Sequence, residues 1–169
     1  MLASAQKNAE LWAAVWRRAE VPVAFIDRVN ALGGAWHLLV LSADWCGDAV
    51  NTLPAVARLA ELTSNTDLRI LERDSNLDLM DAHLTGTSRS IPAIIVLDAD
   101  YAERGWWGPR PAALQRWTLG EGQGLEKTER YKHVRAWYAR DRALTTLEEL
   151  VSLMERAAAS YSAGAPVPV

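Results

Sequence analysis

Residues 42–49 of this 169-residue chain read SADWCGDA and contain its only cysteine, Cys46. The residues before this stretch, HLLVL, form an apolar run typical of a buried strand, and those after it, VNTLPAVARLAEL, are typical of a helix. The sequence therefore predicts that Cys46 lies where a strand turns into a helix, a position that suits thiol chemistry. Ala49 occupies the place, three residues further on, where a second cysteine would complete a C-x-x-C pair.

Composition limits the classes of protein to which the chain can belong. Half of its residues are hydrophobic and 23% are charged, which predicts a fully packed core. A net charge of −3 gives no general attraction to nucleic acid or to an anionic membrane, and a single cysteine excludes an internal disulfide framework. Charged residues interrupt the first 20 positions, so neither a signal peptide nor a membrane anchor is predicted, and a cytoplasmic location is expected.

The order of apolar segments predicts an α/β fold around a mixed sheet. Strands are expected at 36–42, 67–72 and 93–98, with an antiparallel edge strand at 101–107. Helices are expected at 5–20, 24–32, 50–62, 76–84, 111–119 and 127–154. These elements predict one domain over residues 1–162, with a core at about 36–107, N-terminal helices within 5–32, C-terminal helices within 111–160, and a frayed tail at 163–169.

Three features of the sequence resemble thioredoxins. Residues 45–49, WCGDA, resemble the WCGPC active-site turn of that family, and Pro54, nine residues after Trp45, matches its helix-kinking proline. Ile91-Pro92, before an apolar strand, is similar to the cis-proline loop that faces the active-site cysteine. The chain looks most like uncharacterised bacterial thioredoxin-family proteins with a W-C-G-D motif and a helical C-terminal extension. The resemblance implies a three-layer sandwich with a central mixed sheet and extra helices at both ends.

The resemblance also implies a site and a reaction. Cys46 would be the nucleophile, and the groove that receives the substrate would be bordered by Trp45, Gly47, Asp48, Ile91 and Pro92. Two departures concern the second half of the dithiol cycle: Ala49 replaces the resolving cysteine, and Val40 stands where thioredoxins carry a buried aspartate. A mixed disulfide on Cys46 would therefore wait for an external thiol.

The expected function is that of a redox protein, a candidate monothiol disulfide oxidoreductase. Its partners would be protein thiols or disulfides, with glutathione or another low-molecular-weight thiol as a candidate co-substrate and no bound cofactor. A homodimer is a further candidate state. The alternative is a non-catalytic thioredoxin-fold module that binds protein partners, so whether the chain is an enzyme stays open. A third hypothesis, a glutathione-assisted iron–sulfur site, is weaker than these two, because the C-G-F-S motif of monothiol glutaredoxins is absent.

The reactivity of Cys46 depends on opposing effects. A helix N-terminus favours the thiolate, so we expect the pKa of Cys46 to lie below that of free cysteine, with Asp48 opposing this shift. We expect an accessible, modestly reactive thiol, although free cysteine is often simply a buried small hydrophobe.

Two other sequence features favour plain structural interpretations. The three histidines lie far apart with no metal-ligand spacing, so no metal site is predicted. The basic, aromatic stretch 127–142 is better explained as a solvated amphipathic helix with its aromatic residues turned inward than as a nucleic-acid surface.

Overall fold

A computed structural model describes residues 7–162 of the chain. Its sheet contains β1 (Trp36–Ser42), β2 (Thr66–Glu72), β3 (Ala93–Leu97) and β4 (Glu103–Trp107) in the order β2-β1-β3-β4. β1 pairs parallel with β2 and antiparallel with β3, and β3 pairs antiparallel with β4. The predicted mixed sheet with an antiparallel edge strand is confirmed.

Helices flank this sheet. In chain order they are α1 (Ala9–Arg18), α2 (Val23–Asn30), α3 (Gly47–Leu62), α4 (Leu77–Asp81), α5 (Ala112–Leu119), α6 (Lys127–Asp141) and α7 (Leu144–Ser162). Short 3₁₀ turns occupy Arg73–Ser75 and Glu121–Gly124. α3 packs against α1 and β2, and α7 packs against β4, α2 and α3. The predicted thioredoxin-like fold with a helical C-terminal extension is confirmed, and the predicted tail at 163–169 lies outside the described residues.

The hydrophobic core continues from the sheet into the added helices. Buried residues of α1, α2 and α7 belong to the same cluster as those of β1, α3 and β3. β3 is buried over its first four residues, as expected of an interior strand with helices on both faces. The N- and C-terminal helices therefore cover the sheet that carries the Cys46 turn.

The prediction of one continuous helix over 127–154 is wrong, because the chain forms two helices there. Arg142 and Ala143 both have positive φ, 53° and 63°, and they separate α6 from α7. Neither residue is a glycine, so local propensity gives no signal for this break. The inward aromatic face of α6 is confirmed for Tyr138, which is buried, whereas Tyr131 is exposed.

In the part of the chain that the structure covers, 7–162, none of the helices combines the length and the apolar character required to cross a bilayer.

Candidate thiol site

Cys46 lies at the turn from β1 into α3 and caps that helix. Its sulfur accepts a hydrogen bond from the backbone N–H of Ala49 at 3.5 Å, as an N-terminal capping side chain does. The thiol donates to the carbonyl oxygen of Ile91 at 3.2 Å. The sulfur is thus held between the first turn of α3 and the loop before β3.

The loop that faces Cys46 contains one cis peptide bond, and a second lies in a segment that packs against this loop. Ile91–Pro92 is cis, and so is Gly108–Pro109 at the end of β4. Gly108 has φ 148°, and a Cβ added there would lie 2.1 Å from the carbonyl oxygen of Pro92. Only glycine permits this close approach. The 108–109 segment therefore packs directly against the loop that covers the sulfur, a contact that the sequence did not reveal.

Burial changes the expected chemistry of Cys46. The residue is 6% exposed, and burial, the largest cause, raises the pKa of its thiol above the ordinary value. The Ala49 N–H and the positive charge of Arg110 lower this pKa, whereas the carboxylate of Asp48 raises it. The prediction of a pKa below that of free cysteine is wrong, because desolvation of the anion outweighs the helix N-terminus. The prediction of an open thiol is also wrong, because Cys46 is buried and its sulfur contacts the carbonyl oxygen of Ile91.

Asp48 is the centre of a polar network beside the sulfur. Its Oδ2 forms an ion pair with Nη2 of Arg110 at 2.6 Å, and its Oδ1 accepts a hydrogen bond from the hydroxyl of Tyr138 at 2.9 Å. Arg110 also donates to Oε1 of Gln115 at 3.0 Å. Burial and the Asp48 charge raise the pKa of Tyr138, which therefore stays a neutral donor at physiological pH.

Arg110 and Tyr138 are the site residues that sequence reasoning missed. Both lie more than 60 positions from Asp48 and reach it only through the placement of the C-terminal region. The inward turn of the aromatic residues on α6 was the single available signal for Tyr138, and none existed for Arg110.

The motif residues next to Cys46 are held by the N-terminal region. The carbonyl oxygen of Asp44 accepts a hydrogen bond from Nε1 of Trp12 at 2.9 Å, and that of Trp45 accepts one from Nδ2 of Asn8 at 3.1 Å. The Trp45 side chain is 43% exposed, and the guanidinium of Arg73 lies 5.0 Å from the centre of its ring. Trp45 therefore presents an aromatic surface beside the covered thiol.

The structure brings all six residues of the sequence-predicted site to one place. Trp45, Gly47 and Asp48 adjoin Cys46 on the α3 turn, and Ile91 and Pro92 face it from the β3 side. Val40, where thioredoxins carry an acid, is fully buried in β1. Within residues 7–162, no cluster of histidine, cysteine or acidic side chains could hold a metal ion.

A capping cysteine at a strand-to-helix turn, opposite a proline loop on a mixed sheet, defines a protein of the thioredoxin-fold class. A family model described as thioredoxin matches residues 1–137, and the chain belongs to that family.

Two solved structures share this fold. One is a 1.5 Å crystal structure of a protein of unknown function from Pseudomonas aeruginosa, with 21% identity, a TM-score of 0.72, and coverage of 92% of this chain and 89% of that one. The other is a crystal structure of an HIV epitope-scaffold, with 19% identity, a TM-score of 0.68, and coverage of 89% and 86%. No curated protein matches the chain.

Proposed function

We propose that this chain is a redox protein that uses Cys46 as a lone nucleophile in thiol–disulfide exchange. One observation carries the proposal: the sulfur caps α3 and lies 3.2 Å from the carbonyl oxygen of the residue before Pro92. A helix N-terminus supplies N–H groups that stabilise a thiolate once it forms. With one cysteine in the chain, the cycle is completed by a low-molecular-weight thiol such as glutathione.

The exchange balances without a second protein thiol. The Cys46 thiolate attacks one sulfur of a substrate disulfide R–S–S–R′; a new S–S bond forms, the old one breaks, and R′–S⁻ leaves with the electron pair. A small thiolate G–S⁻ then attacks the sulfur of R, which releases the Cys46 thiolate and gives R–S–S–G. A second G–S⁻ displaces R–S⁻ and forms G–S–S–G. The substrate disulfide is reduced by two electrons, and two small thiols are oxidised.

The hydrogen bond from Cys46 to Ile91 couples deprotonation to substrate binding in this scheme. While the thiol is protonated, it donates to the Ile91 carbonyl oxygen. Loss of the proton frees that oxygen to accept an N–H from an extended peptide, which pairs with the loop as an added strand does. Because burial raises the pKa of Cys46, the reaction is slow at neutral pH and accelerates as the pH rises.

The test is exchange with oxidised glutathione, followed by intact mass spectrometry from neutral to alkaline pH. We expect one mixed disulfide on Cys46, formed faster at higher pH and removed by reduced glutathione, with Cys46→Ser as the control. If the native chain forms no adduct even at alkaline pH, where the unfolded chain does, the redox proposal is refuted.

A second candidate function is supported by a different observation. The sulfur is nearly covered while the neighbouring Trp45 ring is 43% exposed, an arrangement that suits a module binding protein partners through the groove. In that case Cys46→Ser retains partner binding and Trp45→Ala abolishes it. Under the redox proposal, capture of a disulfide-containing partner requires Cys46 and is reversed by reducing agent.

A further inference from the structure

A cavity of about 530 Å³ lies between α1, the first half of α3 and the C-terminal end of α6. Its walls are more apolar than polar, and the apolar and aromatic side chains among them include Leu11, Val15, Ala55, Tyr138, Ala139 and Ala143. This volume is in the range of small-molecule sites, roughly 300 to 1,000 Å³. We call it the arginine-rimmed cavity, after the four arginines that line it: Arg17, Arg18, Arg135 and Arg142.

The rim has a charge opposite in sign to that of the whole chain. The four arginines are accompanied by one acidic residue, Glu20, which leaves three positive charges in excess, although the chain carries −3 overall. Clustered positive charge over low-dielectric walls attracts anions.

Most of this positive charge is not committed to neighbours. Arg142 approaches Glu20 at 3.3 Å, but the two side chains are 67% and 80% exposed, so the pair contributes little. Arg18 donates through Nε to the carbonyl oxygen of Ala14 in its own helix. Across residues 7–162, no ion pair engages Arg17 or Arg135. Both guanidinium groups are therefore available to form bidentate hydrogen bonds with a carboxylate.

The geometry points to a binding site for a small amphipathic anion, an aliphatic chain that ends in a carboxylate. The apolar walls receive the chain and the arginines hold the head group. The cavity adjoins the thiol site and shares Tyr138 with it: Asn51 donates to the carbonyl oxygen of Gly47, and Tyr138 donates to Asp48. The inference does not depend on the chemistry of Cys46.

Isothermal titration of the full chain with decanoate, kept below its micelle-forming concentration, tests this site. We expect saturable binding of one decanoate per chain, with binding at least about tenfold weaker, or about 1.4 kcal/mol, for decyltrimethylammonium, which has the same chain and the opposite charge. Acetate, which has the head group without the chain, should not bind measurably.

Two sets of variants separate this site from general charge effects. Arg17→Gln combined with Arg135→Gln should weaken decanoate binding at least about tenfold. The matched control is Arg116→Gln combined with Arg140→Gln, which removes the same charge from exposed positions outside the cavity and should bind as the native chain does. Ala139→Trp, at an exposed alanine of the wall, should also abolish binding.

Three results would overturn the inference. Decanoate and decyltrimethylammonium could bind equally, the two double variants could bind alike, or an acidic peptide could bind in the cavity while decanoate does not.

Discussion

Asp48 and Arg110 have opposite effects on the Cys46 thiol, and substitution of each gives a prediction of opposite sign. Burial is the main cause of the raised pKa of Cys46; the Asp48 carboxylate adds to it, and the Arg110 charge opposes it. Asp48→Asn removes the negative charge and leaves the positive one, so the pKa of Cys46 should fall. Arg110→Gln leaves the carboxylate unopposed, so the pKa should rise.

Both substitutions should destabilise the fold by similar amounts. The side chains are 13% and 24% exposed and their charged atoms lie 2.6 Å apart, so each variant leaves a largely buried charge without its partner. Breaking a fully buried pair costs about 3–5 kcal/mol, and the partial exposure here reduces this to about 2–3 kcal/mol. For a chain of this size, such a loss lowers the melting temperature by about 5–10 °C.

The assay is alkylation of the native state by excess iodoacetamide, followed by mass spectrometry, as a function of pH. At pH 7, Asp48→Asn should react faster than the native chain and Arg110→Gln more slowly, because the thiolate is the reactive form. Tyr138→Phe is the control, since it removes one hydrogen bond to the carboxylate and leaves both charges in place. It should lower the free energy of unfolding by about 1.5–3 kcal/mol and change the rate far less.

The similar loss of stability in the two variants makes the comparison decisive. If alkylation required local opening of the loop over Cys46, both variants would react faster in proportion to their destabilisation. Faster reaction in Arg110→Gln would therefore refute the electrostatic reasoning.

Three further predictions follow from other contacts. Gly108→Ala should lower the free energy of unfolding by about 3 kcal/mol in chemical denaturation, because its Cβ would meet the Pro92 carbonyl oxygen at 2.1 Å. The control is Gly47→Ala, whose Cβ would have no atom within 4 Å and which should change the free energy of unfolding by less than about 1 kcal/mol. Burial opposes ionisation of Asp98, yet hydrogen bonds from a neighbouring arginine and two backbone N–H groups lower its pKa. The ionised Asp98 therefore stabilises the fold above the pKa of about 3.9 that an aspartate has in the unfolded chain, and this contribution is lost as the pH falls through the pKa of Asp98 in the folded chain. In urea titrations, Asp98→Asn should be destabilising at pH 7 and progressively less so below about pH 4. Finally, Ala49→Cys should raise insulin reduction above the near-zero rate expected of the native chain; strong native activity would contradict the need for an external thiol.

The elements that the sequence predicts well are those whose signals are local. β1 and β3 are short apolar runs bounded by turn residues, and α3 follows the W-C-G-D turn directly, so pattern alone locates them. The six predicted site residues converge for the same reason, since they occupy two short segments at the ends of adjacent strands.

The burial and the raised pKa of the Cys46 thiol could not be predicted from local signals of this kind. A helix N-terminus is a local feature and favours an acidic cysteine, but the burial that outweighs it depends on residues distant in sequence, among them Ile91, whose loop packs against Gly108. The burial of a residue depends on segments that are far apart in the sequence, so the spacing of residues within the motif does not predict it. The break at Arg142 is similar, because its positive φ has no glycine to signal it.

The C-terminal extension therefore determines the environment of a motif that lies far from it in sequence. Arg110 stands just before α5, and the other partner of Asp48, Tyr138, stands on α6. Glu149 of α7 accepts hydrogen bonds from Nε1 of Trp107 at 2.8 Å and from the N–H of Ala112 at 2.9 Å, which fixes both ends of the segment that contains Arg110. A chain with the same W-C-G-D turn but without these helices would retain Asp48 and lose both of its partners. Its cysteine would face an uncompensated carboxylate, so in this chain the added helices, as well as burial and the motif itself, influence the reactivity of Cys46.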